Sequence, residues 1–248
     1  MLSHERYVLI QEIVNEKGTV TVAELSKALD TSESTIRRDL TALDELGKIQ
    51  KFFGGATKAE TPHRFLEDTI RVKESLMNEE KTAIGKYAAT LISDDDFVFI
   101  DAGTTTARMI DFIEKNNATY VTNGITHARK LLEKGLNTYI IGGKIKTMTE
   151  AIIGVEAIAN LAKFNFSKAF IGVNGIDLKA GYTTPDIDEG LLKETAINQS
   201  NMVFVLADHS KFKKIFAKTF KELNQCCIIT DYLPDPRYSH ETVIKIVK

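Results

Sequence analysis

The sequence predicts two folded parts in series: three short helices ending in a β-ribbon, then an α/β domain built on a largely parallel sheet. Three observations carry this. At 248 residues the chain exceeds one small domain. Apolar residues in the first fifty positions recur at three- and four-residue spacing, the helical period. From about residue 95, compact apolar runs alternate with helical patterns.

In the first part, Tyr7, Ile10, Ile13 and Val14 mark one face of a helix over Glu5–Glu16, ended by Gly18. Thr21 and Glu24 have capping-box spacing and open a short helix with Val22, Leu25, Ala28 and Leu29 inward. After Asp30, Thr31 or Ser32 caps a third helix whose inward stripe is Ile36, Leu40, Leu43 and Leu46, ended by Gly47. Two short helices joined by a tight turn form a helix-turn-helix. The third helix carries Ser34, Thr35, Arg37 and Arg38 at its N-terminal end, the end that enters the major groove in this motif. Hydroxyls at a positive helix terminus suit phosphate oxygens, and arginine bonds phosphate or guanine edges. KIQKFFGGATK follows as a two-stranded wing turning at Gly54-Gly55, with Lys48, Lys51 and Lys58 available for backbone phosphates. The partner implied is DNA, read by local geometry rather than by bulk charge. The net charge is −2, and residues 1–58 hold eight Lys/Arg against nine Asp/Glu.

Residues 58–77 are polar and charge-mixed, contain Pro62 and an exposed-type His63, and read as a linker. A helix near 78–92 follows, with Ile84, Tyr87, Ala88 and Leu91 on one face. Its position between linker and α/β domain makes it the candidate transmitter of a signal between the two parts.

In the second part, FVFID, TYVT, NTYIIGG, KAFIGVNGID, NMVFVLAD and CCIITD read as strands, with helices near 105–115, 125–134, 155–162 and 187–199. Parallel sheets bind ligands beyond the carboxyl ends of their strands, so the strand-to-helix turns are the candidate sites. Asp101, Gly103, Thr104, Thr105 and Thr106 form the first turn; Thr122, Asn123 and Gly124 the second; Gly142, Gly143 and Lys144 the third. Glycine and hydroxyl residues at a helix N-terminus make an anion site. Asn174 and Asp177 end the fourth strand. Thr183, Thr184, Asp186, Glu189 and Lys193 gather beside the expected pocket, and Asp208, His209, Ser210 and Lys211 follow the fifth strand. Lysines and carboxylates there suit a phosphorylated polyol, and could also serve acid–base chemistry.

Several classes are disfavoured. MLSHERYVLIQEIV lacks a basic-then-apolar signal pattern, and no apolar run approaches the roughly 18 residues that span a bilayer. The expectation is a cytoplasmic protein. Cys226 and Cys227 are adjacent, a poor arrangement for a disulfide or a metal pair; no metal or cofactor is expected. The turns are not GxGxxG, against a dinucleotide site.

The chain resembles the DeoR family of bacterial repressors. Its first part carries the family's TIRRDL (Thr35–Leu40) and GGA (Gly54–Ala56); the connector matches at Phe65, Arg71, Glu80 and Lys81; the second part carries GTTT, TNG, IGG, GVNGID and DHSK in order. One departure is Lys51-Phe52-Phe53, where the family usually has Arg-x-His before Gly-Gly. The wing keeps lysine charge and lacks the histidine. The resemblance implies a winged helix-turn-helix over 1–57, a linker over 58–77 and a sensor domain over 78–248, related in fold to ribose-5-phosphate isomerase. It implies operator DNA and a sugar phosphate as partners, Thr104, Thr105, Asn123, Lys193 and Lys211 as effector contacts, and a homodimer or homotetramer. Within the family, KTMTEAIIG, AFIGVNGID and TTPD are most similar to fructose-operon repressors, implying fructose 1-phosphate as inducer. Lactose-operon repressors, answering to tagatose 6-phosphate, are the neighbouring alternative. An isomerase-like enzyme is the third reading. Where ribose-5-phosphate isomerase shows Asp-Gly-Ala-Asp-Glu, this chain has Val173–Asp177 with one carboxylate, so no catalytic residue is assigned.

Overall fold

The computed structural model describes residues 3–45, 48–58 and 70–247, and the chain divides into two compact units, Met1–Pro62 and His63–Lys248. Leu46, Gly47, Pro62, His63 and Phe65 lie outside the described residues, as does the side chain of Arg71.

The first unit contains α1 (Ser3–Lys17), β1 (Thr19–Thr21), α2 (Val22–Ala28), α3 (Glu33–Glu45), β2 (Ile49–Phe52) and β3 (Gly55–Lys58). The Thr21–Glu24 capping box forms: Glu24 N–H donates to Thr21 Oγ1 at 3.2 Å, and Thr21 N–H donates to Glu24 Oε2 at 2.7 Å. Ser32 Oγ caps α3 by accepting from Thr35 N–H at 3.4 Å. Ile10, Val14, Leu25, Ile36, Leu40 and Leu43 form the core. Ala28 instead faces solvent, because Val22, Leu25 and Leu29 already fill the inward stripe of so short a helix. The ribbon has three strands rather than two: β1 pairs with β3 (Val20↔Ala56) in the order β1-β3-β2. The Arg6 guanidinium, buried in the core, bonds both oxygens of Asp39 and pins α3 to α1.

The second unit opens with α4 (Ile70–Ser75), inside the stretch read as linker, and α5 (Asn78–Ala89). Then come β4 (Phe97–Ile100), α6 (Thr104–Asp111), β5 (Thr119–Thr122), α7 (Ile125–Glu133), β6 (Asn137–Ile140), β7 (Lys144–Lys146), β8 (Ala151–Ile153), α8 (Val155–Leu161) and β9 (Phe166–Gly172). β10 (Gly175–Asp177), β11 (Gly181–Thr184), α9 (Ile187–Asn198), β12 (Ser200–Leu206), β13 (Lys218–Lys221), β14 (Cys227–Thr230), α10 (Tyr238–Glu241) and β15 (Ile244–Ile246) complete it.

Seven strands form one parallel sheet in the order β15-β14-β12-β9-β4-β5-β6. Its inner strands are apolar on both faces. Val98 and Ile100 of β4 join one core with Phe170, Phe204, Ile84 and Met109; Phe99 joins the other with Ile171, Leu161 and Leu192. Burial on both faces is what a helix-covered parallel sheet requires. The chain runs outward from β4 to β5 and β6, then returns to β9 on the other side of β4. The carboxyl ends of β4 and β9 therefore flank the point where strand order reverses, the general ligand position in such sheets.

Two antiparallel additions depart from the sequence reading. β7 and β8 form a hairpin, and β10, β11 and β13 form a separate sheet. GVNGID accordingly does not continue the fourth strand. β9 stops at Gly172, and Asp177 sits at the end of the β10–β11 hairpin, accepting from Lys179 N–H (2.8 Å) and Ala180 N–H (3.0 Å). Its carboxylate closes a turn.

Candidate effector cleft and nucleic-acid interface

A cleft of about 580 Å³, counting its open mouth, lies at the ends of β4 and β9. Its walls include Gly103, Thr104 and Thr105 from the first turn, Gly172, Val173 and Asn174 after β9, Glu189 and Lys193 of α9, and Lys211. Ile70 and Lys73 of α4, and Thr149 between β7 and β8, complete them.

The first turn is held from behind. Asp101, almost wholly buried, accepts from Gly172 N–H at 2.9 Å and pairs with Lys193 Nζ, tying β4 and β9 to α9. Ala102 N–H donates to Asn123 Oδ1 at 2.7 Å, and Gly103 N–H to His127 Nε2 at 3.3 Å. Thr106 Oγ1 donates to Asp101 O at 2.7 Å and lies 3.0 Å from His127 Nε2. Burial pushes the His127 imidazole down to about 4, so the ring is neutral at pH 7 and its Nε2 can accept. Next in the turn come Thr104 and Thr105, in the first turn of α6, where backbone N–H groups have no helical partner. The positive end of α6 therefore faces the cleft.

The second turn has a different role from the one its sequence suggests. Thr122 Oγ1 donates to Ile100 O at 2.6 Å and accepts from Gly124 N–H at 3.0 Å. Asn123 is buried, with Oδ1 on Ala102 and Nδ2 on Ile152 O. A Cβ on Gly124 would come within 2.5 Å of His127 Nδ1. Thr122, Asn123 and Gly124 thus shape the first turn and are not on the cleft wall. The third turn is also elsewhere: Gly142 and Gly143 lead into β7, where a Cβ on Gly143 would meet Ile153 O at 2.8 Å.

On α9, Asp186 is the N-cap, accepting from Glu189 N–H at 3.0 Å, and Lys146 Nζ lies 3.1 Å from both Asp186 and Glu189. Glu189 also accepts from Thr149 Oγ1 at 2.8 Å. Thr183 and Thr184 are buried, with Thr184 Oγ1 on Asn174 Oδ1 at 3.0 Å. Asp208 is wholly buried. Ser210 bonds its Oδ1, whereas Oδ2 has no hydrogen-bond partner and stands 3.9 Å from Lys211 Nζ. Lys81, also buried, donates to Leu76 O at 2.7 Å and to Lys73 O, closing the end of α4. Burial first, and the charge of Lys211 next, push its ammonium down to about 8.

The sequence reading missed Lys73 and Thr149. Lys73 sits in a charge-mixed stretch that looks like linker, and Thr149 in a hairpin turn. Neither position has a local signature, and only the fold brings them to the cleft. His127 was missed as well. Its one signal is a polar residue on the stripe that α7 buries with Ala128 and Leu131.

In the first unit, Ser34, Arg37, Arg38, Lys48, Lys51 and Lys58 are exposed, while Thr35 is half-buried with its hydroxyl on Ser32. Arg37 pairs loosely with Glu33 at 3.2 Å, and Arg38 Nε reaches Ser34 O at 3.4 Å. Lys51 N–H donates to Asp44 Oδ1 and its Nζ to Thr41 Oγ1, so β2 is fastened along α3.

Among the described residues no helix is long and apolar enough to cross a membrane. Residues 6–61 match the DeoR-like helix-turn-helix domain and residues 76–232 the DeoR C terminal sensor domain. Over the full length of both proteins the chain is 40% identical to the uncharacterized HTH-type transcriptional regulator FruR of Bacillus subtilis. It is 35% identical to the HTH-type transcriptional regulator IolR of the same species, over 93% of this chain and 92% of that one. The lactose phosphotransferase system repressor of Staphylococcus aureus is 33% identical over the whole of both chains. Ribose 5-phosphate isomerase A from Methanocaldococcus jannaschii overlaps 54% of each chain at 14% identity and a TM-score of 0.41. With both domain models matched and full-length relatives at this identity, the chain belongs to the DeoR family of helix-turn-helix transcriptional regulators.

Proposed function

We propose that the chain represses a sugar-utilisation operon in the cytoplasm and is induced by a phosphorylated sugar, fructose 1-phosphate, bound in the cleft. The observation that carries the effector class is the meeting of Lys73, Lys193 and Lys211 with the N-terminus of α6 at the point of strand reversal. Thr104, Thr105 and Lys211 hold the phosphate; Glu189 and Asn174 accept from and donate to sugar hydroxyls. Asp101, Thr106, Thr122, Asn123, Gly124 and His127 position the turn. Ser34, Arg37 and Arg38 read the operator, with Lys48 and Lys51 on its backbone, and a homodimer or homotetramer supplies one reader per half-site. Fructose ranks first because the subgroup motifs favour it, with tagatose 6-phosphate as the alternative.

Linkage sets the mechanism: the effector alters DNA affinity only through its different affinity for two states. α4 lines the cleft through Ile70 and Lys73 and is closed by Lys81 of α5, so α4 and α5 together are the transmitter. The test is a thermal-shift panel of sugar phosphates and inorganic phosphate, repeated with operator DNA. At one hundred times its dissociation constant an effector stabilises by about 2.7 kcal/mol. Selective response to fructose 1-phosphate with DNA release supports the reading. Response to tagatose 6-phosphate changes the operon, and response to none of them removes the effector class.

A further inference from the structure

The wing carries a feature that the charge-based account of DNA contact leaves unused. Between the paired residues Phe52 and Gly55, the turn consists of Phe53 and Gly54. Phe53 is fully exposed and Phe52 is nearly half exposed. Hairpin turns favour glycine, asparagine and aspartate, and a phenylalanine in water at a turn tip adds nothing to the fold. A local choice that works against both turn chemistry and burial marks a functional position.

The turn is anchored at its base. Gly54 O accepts from Val22 N–H at 2.9 Å, and a Cβ on Gly55 would fall 2.0 Å from Val20 O, so the turn lies flush on β1. Its charge favours one occupant. The hairpin's own residues, 48–58, hold three lysines and no carboxylate, and with Asp44 of α3 beside Lys51 the balance stays cationic, which favours a polyanion and opposes pairing with a second identical wing. The hairpin is also continuous with the operator-reading helix, since Lys51 is bonded to Asp44 and Thr41 of α3. A hairpin fastened along α3 is carried to the duplex with it when the N-terminal end of α3 enters the major groove. Phenylalanine is one of the apolar side chains that enter minor grooves and part base steps.

We propose that Phe53 is an apolar wedge that packs against a partly unstacked base step in the minor groove beside the half-site. The chain thereby selects flexible pyrimidine–purine steps at positions that its arginines do not touch. This rests on the DNA-binding reading of the first unit.

The test uses the full-length chain and a randomised duplex library. The enriched duplex is compared with versions whose flanking TA step is changed to AA, and 2-aminopurine at that step reports unstacking. F53A should melt as the wild type does and lose about tenfold in affinity with an unchanged salt slope. It should also lose the flanking preference and the 2-aminopurine signal, while F53L keeps most of each. R38A should lose discrimination in the half-site and retain the flanking preference. Wild-type affinity and flanking preference in F53A would overturn the wedge. So would a change in sedimentation mass on F53A, which would place Phe53 between protein copies. Enrichment of a half-site with no flanking preference by the wild type would remove the wedge and leave the DNA reading intact. Enrichment of no sequence at all would remove both.

Discussion

The two units place their polar residues in opposite ways. In the DNA-binding unit the residues that matter for contact stand in water on a small apolar core. Ser34, Arg37, Arg38 and Lys48 are exposed, and the buried ion pair Arg6–Asp39 joins two helices to each other. In the sensor unit most polar residues of the strand-end turns are bonded to one another. Asp101, Thr106, Thr122, Asn123 and His127 are all buried and leave only a few groups directed into the cleft. The difference follows from the ligands. A DNA duplex is read on a convex surface by side chains that reach outward. A small anion must be enclosed, and an enclosed site holds its geometry only if the backbone around it is satisfied by further polar groups.

The largest expected effect tests whether the buried network carries sensor stability. D101A leaves Lys193 charged and unpaired in the core, and should cost about 3–5 kcal/mol in denaturant melts. Adding K193M should recover much of it. A D101A chain as stable as the wild type would show that the network is dispensable.

Next is pH. His127 lies at about 4 in the folded chain against an ordinary 6.5, so between those values the unfolded chain binds a proton that the folded one does not. This contribution is complete above pH 6.5 and is lost as pH falls towards 4, to the extent of about 3 kcal/mol. His209, raised by its bond to Asp231, acts with the opposite sign. The quantity to measure is therefore the difference between wild type and H127Q. A difference that is flat with pH would mean the imidazole is not held neutral.

K211M should weaken effector binding by about 1.5–3 kcal/mol, the worth of a charged hydrogen bond, with DNA affinity unchanged in the absence of effector. Calorimetry with the responding sugar phosphate measures it. Equal affinity in both proteins would move the phosphate away from Lys211.

The smallest effect belongs to the exposed unit. R38A should leave the melting temperature unmoved and cost about 1–3 kcal/mol in operator binding, measured by fluorescence anisotropy. R37A, freed from a loose surface pair with Glu33, should behave alike. Loss of stability in either variant would show that the two units do not divide their polar residues as described.

Legibility in sequence followed the same division. Capping box, inward stripes and the arginine pair of α3 are local patterns, whereas the β1–β3 pairing and the Arg6–Asp39 pair join residues more than thirty apart and appeared only in the fold. The parallel strands of the sensor and the helices between them were legible, because apolar runs and helical periods are local, whereas the antiparallel strands β7, β8, β10, β11 and β13 were not. The cleft was legible only in part. Thr104, Thr105, Glu189, Lys193 and Lys211 stand on its wall, whereas Asn123, Gly142, Gly143 and Asp177 do not, although their turns look much like the first one. A Gly/Thr/Asn turn has the same composition whether its atoms face a ligand or a neighbouring turn.

By itself the sequence determined the helices of the first unit, the apolar strands of the parallel sheet and the cationic end of α3, because period, apolarity and capping act within a few residues. Tertiary structure alone decided which strand ends became neighbours, and with that the cleft between β4 and β9. It brought Lys73, Thr149, Lys193 and Lys211 together from four separate stretches of chain. It also turned Asp101 inward onto Lys193, since a buried charge must be met by a partner that only the folded chain can supply.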